Sequence, residues 1–164
     1  MKLKEIIHQL KISSNFIVNE PCGYPEIKDG YVLPDDIREF YSICGGIMCY
    51  TQYGGFPIEI LKPSNVKLSN IALLGKHYEE DISSSWHLIA DALDGNFISV
   101  DFEPTRLGRC YESFAYSHAV ANNCPMIALS FTELLYSIYK YTGDYFFWLD
   151  NPRFIGYGDA YATV

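Results

Sequence analysis

The sequence predicts one domain that mixes helices with short strands, and three stretches predict it. Val32–Gly46, VLPDDIREFYSICGG, reads as a short amphipathic helix closed by two glycines. Asp94-Gly95 sits between two strand-like runs, and Ser130-Phe131-Thr132-Glu133 opens a further amphipathic helix. The chain of 164 residues has no internal repeat, low-complexity tract or linker, so residues 1–164 are expected to form a single domain with a substantial core. Its 14 Tyr and 10 Phe are an unusually aromatic complement, which either fills that core or spills onto a surface that meets a partner.

In chain order, Leu3, Ile6, Ile7 and Leu10 have helical spacing. Residues 13–31, with Pro21, Gly23, Pro25 and Gly30, read as an extended connector. In the helix that follows, Pro34 fixes a φ suited to the first turn, and Asp35 and Asp36 favour the positive end of the dipole. Ile37, Phe40, Tyr41 and Cys44 fall on one apolar stripe, and Gly45-Gly46 is expected to form a left-handed cap. Ile47–Tyr53 and Phe56–Leu61 read as strands around the Gly54-Gly55 turn.

Residues 62–85 are the least regular part, with Ile71–Leu74 a short strand or helical turn. Trp86–Ala90 and Asn96–Phe102 are strands joined at Asp94-Gly95, or by a longer loop from Asp91 that shifts the register. Along the second strand Ile98, Val100 and Phe102 alternate with Phe97, Ser99 and Asp101, giving one apolar and one mixed face. A turn at Pro104–Gly108 leads to a strand over Arg109–Ala115. Ser130 and Glu133 have capping-box spacing before the helix of Phe131, Leu134, Leu135 and Ile138, which is expected to end near Gly143. The tail from Tyr145, with Phe146, Phe147, Trp148 and Phe154, is too apolar to hang in water and must pack on the body or in an interface.

The net charge of −8 argues against nucleic acid as a direct ligand, which needs Lys and Arg against phosphates, and suits a basic protein partner. Simple solubility explains the same charge. The N-terminus lacks the apolar run of a signal peptide and no window is long enough to span a membrane, so a cytoplasmic protein is expected. Cys22, Cys44, Cys49, Cys110 and Cys124 are an odd number without a C-x-x-C, and read as small buried hydrophobes in a reducing compartment.

No G-x-S-x-G, H-E-x-x-H, P-loop or dinucleotide fingerprint is present, and no His lies beside a Cys in the chain. Asp91–Asn96 offers oxygens but misses the spacing of a calcium loop. No catalytic residue, metal or cofactor is therefore expected.

One stretch stands out. Between Lys76 and Arg106 there is no Lys or Arg, while Glu79, Glu80, Asp81, Asp91, Asp94, Asp101 and Glu103 all lie there, seven of the 20 acids, flanking Trp86 and Phe97. Carboxylates beside exposed rings would capture a basic, partly apolar partner, because charge speeds encounter and buried rings hold it. The candidate partner-binding residues are Glu79, Glu80, Asp81, Trp86, Asp91, Asp94 and Glu103. The alternative is a solvated loop and hairpin with Trp86 in the core.

Three segments in order resemble the SUKH superfamily, which includes the fungal Smi/Knr cell-wall assembly regulators and many bacterial immunity proteins. Leu33-Pro34 with Ile37, Phe40, Tyr41 and Gly45-Gly46 is similar to the family's opening helix. Ile89-Ala90, Gly95-Asn96, Val100-Asp101 and Gly108-Arg109-Cys110-Tyr111 are similar to its hairpin and following strand. Ile127-Ala128 with Ser130-Phe131 and Leu134-Leu135 is similar to its closing helix. The resemblance covers roughly residues 33–140; Asn96, where aspartate is frequent, and the insertion at 62–85 depart from it. It implies an α+β fold, an antiparallel β-sheet with helices packed against it, and no catalytic centre. It also implies an antidote that neutralises a cognate toxin, often a nuclease, by direct contact, with regulatory or scaffold binding as the alternative; a small-molecule binder or enzyme with a pocket lined by the many tyrosines is a third, lesser reading.

Overall fold

A computed structural model describes residues 1–52, 57–143 and 146–163. Among these, seven strands form one antiparallel sheet in simple chain order: β1 (Phe16–Val18), β2 (Ile47–Cys49), β3 (Ile58–Ile60), β4 (Trp86–Asp91), β5 (Asn96–Asp101), β6 (Cys110–Phe114) and β7 (Met126–Ala128). Five helices accompany them: α1 (Leu3–Ile12), α2 (Asp35–Ile43), α3 (Ser69–Leu74), α4 (Phe131–Lys140) and α5 (Phe147–Asp150). The α+β architecture expected of the sequence is the one observed.

The inner face of the sheet is apolar by alternation. Ile47, Ile58, Ile60, Ala90, Ile98 and Val100 are buried in one cluster with Ile6 and Leu10 of α1, Ile37 and Phe40 of α2, and Phe131 and Leu135 of α4. The aromatic tail joins it: Phe147 and Trp148 are buried there, and Trp148 Nε1 donates to Glu112 Oε2 at 2.5 Å. Tyr145 lies outside the described residues, as do Gly54-Gly55, the last residue of the strand expected at Ile47–Tyr53 and the first of that expected at Phe56–Leu61; the former strand stops at Cys49, and Tyr50 turns the chain with φ 63°. The outer face of β4–β7 carries a second cluster of Trp86, Tyr111, Cys124, Met126 and Ala160. The mixed alternation of β5 is thus buried on both sides at its far end, where Ser99 and Asp101 are as inaccessible as Val100.

Several local expectations are corrected. Helix α2 ends at Ile43, and Cys44 is buried on extended backbone with φ −154°. The glycine pair is not a left-handed helix cap. Gly45 donates to Asn19 O, Asn19 donates to Gly46 O, and a Cβ on Gly45 would lie 2.3 Å from Glu20 O. These glycines let the chain entering β2 run against the one leaving β1. That segment, read as an extended connector, contains β1; β7 was likewise not expected from pattern. Each is short and stands far in the chain from the strand it pairs with, so no tight turn marks it.

The capping box at α4 is only half formed. Ser130 Oγ accepts from Glu133 N at 3.1 Å, but Glu133 accepts from Leu129 N, one residue earlier than the motif requires. Asp36 of α2 completes the cap by accepting from Thr132 N at 2.8 Å and from its hydroxyl at 3.0 Å. A carboxylate placed there favours the positive end of α4 and ties it to α2. Four cysteines are buried as expected, whereas Cys22 is exposed, and all five are free thiols.

Candidate functional site

The long hairpin β4–β5 positions the acidic residues. Its turn is the longer of the two forms considered: Asp91 Oδ1 accepts from Leu93 N at 2.7 Å, and Leu93, Asp94 and Gly95 all have positive φ. Trp86 pairs with Asp101 at one end and Asp91 with Phe97 at the other, across a bulge near Ile89. Six-residue strands separate these ends by roughly 17 Å. The acids contiguous in sequence therefore divide into two groups. Glu79, Glu80, Asp81 and Glu103 lie at the Trp86 end, and Asp91 and Asp94 lie at the turn.

At the Trp86 end the groups differ in what they can do. Glu79 and Glu80 are exposed. Asp81 caps a 3-10 turn by accepting from Ser83 N at 2.8 Å and Ser83 Oγ at 2.6 Å, and it also accepts from Tyr161 OH at 2.8 Å. Glu103 caps the turn after β5 through Thr105. Asp101 is fully buried and belongs to the framework. It accepts from Ser85 Oγ at 2.6 Å, Glu103 N at 2.9 Å and Arg106 Nε at 2.8 Å. The stretch is therefore not unneutralised, because Arg106 folds back from its boundary onto Asp101.

Trp86 is also framework rather than contact surface. It is wholly buried, stacked on Tyr111 at 4.2 Å between ring centres, with His118 edge-on at 5.8 Å. Trp86 thus takes the core position that the alternative reading gave it. Beside it, α3 is turned against its own hydrophobicity. Ser69 and Asn70 point inward, to Ser99 Oγ at 2.7 Å and His118 Nε2 at 2.8 Å, while Ile71 and Leu74 face water. The buried hydroxyls of Ser99 and Ser113 on the outer face (2.6 Å apart) reward a polar residue on α3 where an apolar one would leave them unpaired.

Two histidines are held neutral here. Burial pushes His87 down to about 4, aided by His77 and opposed by its contact with Ser85 O. Burial pushes His118 down to about 4 as well, against the raising effect of Asp81. Each gains a proton more readily when unfolded, so stability is complete above the ordinary value of 6.5 and is lost as pH falls towards 4. Between about pH 7.5 and about pH 5 each should remove about 2 kcal/mol. Glu112, raised by burial, works in the opposite direction. Urea midpoints across this range test the expectation: His118→Gln should flatten the acid limb, and an unchanged limb would show that His118 is not the titrating group.

Among the described residues no set of three or more His, Cys, Asp or Glu could hold a metal ion, and no helix is long and apolar enough to cross a membrane. Sequence reasoning missed Glu59, which lies directly opposite Asp91 in the sheet. The alternation Ile58-Glu59-Ile60 signalled a residue on the outer face, but only the register brings it to Asp91.

An antiparallel meander with helices on its inner face, opened by the Leu33-Pro34 helix and closed by the Ser130-Phe131 helix, defines the class. The chain belongs to the SMI1 / KNR4 family (SUKH-1), which matches residues 26–137. It is also similar to Immunity protein YokJ of Bacillus subtilis (strain 168), with 34% identity over 164 residues, covering 100% of this chain and 98% of that protein. No solved structure matches it.

Proposed function

We propose that this chain is a bacterial immunity protein that neutralises a protein toxin by direct, non-catalytic contact. The observation that carries the reading is similarity to an immunity protein along the whole chain, including the 62–85 insertion and both ends beyond the family match. The chain offers a partner acidic charge at both ends of the β4–β5 hairpin. A standard interface of about 800 Å² per partner is about 30 Å across, so one toxin can span both groups. A basic toxin is the partner such a surface favours, and the cytoplasm is where this reading has the two meet.

The test is to express the toxin encoded beside this chain's gene, with and without the chain. Growth restored by the chain and a stable stoichiometric complex are expected. Undiminished killing in the presence of folded chain would overturn the reading.

Within this reading Glu79 and Glu80 steer encounter, as exposed charges at an interface rim do. Glu79→Lys with Glu80→Lys should lower the on-rate at least roughly tenfold at low ionic strength and flatten its salt dependence. Asp81 is left intact because it holds Ser83 and Tyr161. An unchanged on-rate and salt slope would remove this loop from the interface.

A further inference from the structure

The outer face of the sheet is covered unevenly. Over β4–β7, the α3 helix, the loop of His118 and the C-terminal segment of Ala160 and Tyr161 bury Trp86, Ser99, Tyr111 and Ser113. Among the described residues nothing comparable lies over β1, β2, β3 and the turn end of the β4–β5 hairpin. Cross-strand neighbours there form one row: Ile17 beside Met48, Met48 beside Glu59, Glu59 beside Asp91, and Asp91 beside Phe97. Ile17 is 56% exposed, and the other four are half-buried. Opposed residues of neighbouring strands hold their Cβ atoms about 5 Å apart, so the Glu59 and Asp91 carboxylates share one patch of surface.

That pairing is unfavourable in the free protein. Like charges directly opposite each other destabilise a sheet, and no Lys or Arg forms an ion pair with either carboxylate among the described residues. Among the described residues the Glu59 carboxylate accepts no hydrogen bond, and Asp91 uses one oxygen on Leu93 N. A cation inserted between the two would relieve the repulsion. Its apolar stem would rest on Met48 and its planar head against Phe97, which is the environment a guanidinium favours over an ammonium.

We infer that this uncovered row is a docking surface for the toxin, and that it receives an arginine side chain with apolar neighbours from a basic toxin surface. The inference rests on the immunity reading and names where that contact is made. The two carboxylates and the half-exposed Ile17, Met48 and Phe97 together supply charge complementarity and buried apolar area, the combination that makes an interface anchor.

The experiment measures binding of the toxin encoded beside this chain's gene to three forms of the full chain: the parent, the double variant Glu59→Gln with Asp91→Asn, and Glu39→Gln. Glu39 lies on the wet face of α2, where it meets Lys4 at 3.5 Å, and its replacement removes charge away from the row. The double variant should melt no lower than the parent, since repulsion is relieved, and should bind at least tenfold more weakly, while Glu39→Gln binds as the parent does. A double variant that binds within twofold of the parent overturns the assignment, and so does an equal loss from Glu39→Gln, which would make the effect one of net charge. If the parent itself neither binds nor protects, the immunity reading fails and the docking surface fails with it. Protection by both parent and double variant with equal affinity removes the surface alone.

Discussion

Asp101→Ala should destabilise the fold by about 3–5 kcal/mol, the cost of removing one partner from a buried ion pair. The carboxylate is wholly inaccessible and gathers donors from three places: Ser85 before β4, Glu103 N and Arg106 in the turn after β5, and Tyr111 OH on β6 at 3.4 Å. Loss of the side chain strands the Ser85 hydroxyl in the interior, where an unpaired donor costs about 1–3 kcal/mol, and leaves the half-buried Glu103 amide without its partner. Arg106 is partly open to water and can turn outward, which keeps the total within that range. Asp101→Asn preserves the shape but turns an amide N–H towards Arg106 Nε or towards the Ser85 and Glu103 donors, so it should rescue little. Urea unfolding measures both. A loss below about 1 kcal/mol for Asp101→Ala would show that these strands are held at this end by Trp86 and Tyr111 stacking instead.

The distinction between Asp101 and its acidic neighbours marks what the chain discloses by itself. Elements whose signal is local were legible: the stripe of Ile37, Phe40 and Tyr41, that of Phe131, Leu134, Leu135 and Ile138, and the presence of a hairpin around Asp94-Gly95, though not the length of its loop. Strands β1 and β7 were not, because no tight turn joins either to its partner and both owe their conformation to their neighbours in the sheet. The candidate site was the least legible part. Seven acids adjacent in sequence suggested one surface, yet a hairpin sends its two ends apart, and Arg106 claims one of the seven for the interior. Glu59, isolated in sequence between two isoleucines, joins Asp91 only through the register of β3 against β4. Helix α3 inverted the usual inference, since the hydroxyls beneath it reward Ser69 and Asn70 and leave Ile71 52% exposed. Composition has no access to what lies under a helix.

Phe131→Ala and Phe40→Ala should each cost about 3–5 kcal/mol, as truncation of a buried aromatic ring does. The two rings meet edge to face at 4.9 Å, Phe40 meets Tyr41 at 5.0 Å, and all three are inaccessible to water. They form the joint between α2 and α4, above the inner face of the sheet. Because the rings share one contact, the two losses should not add: the double variant should be less destabilised than the sum by about 0.5–1.5 kcal/mol, the range of an aromatic pair. Denaturant titrations of the parent, both single variants and the double variant close this cycle. Strict additivity would mean that each ring is held by its own helix's surroundings, and the coupling between α2 and α4 would then rest on Asp36 and its bonds to Thr132.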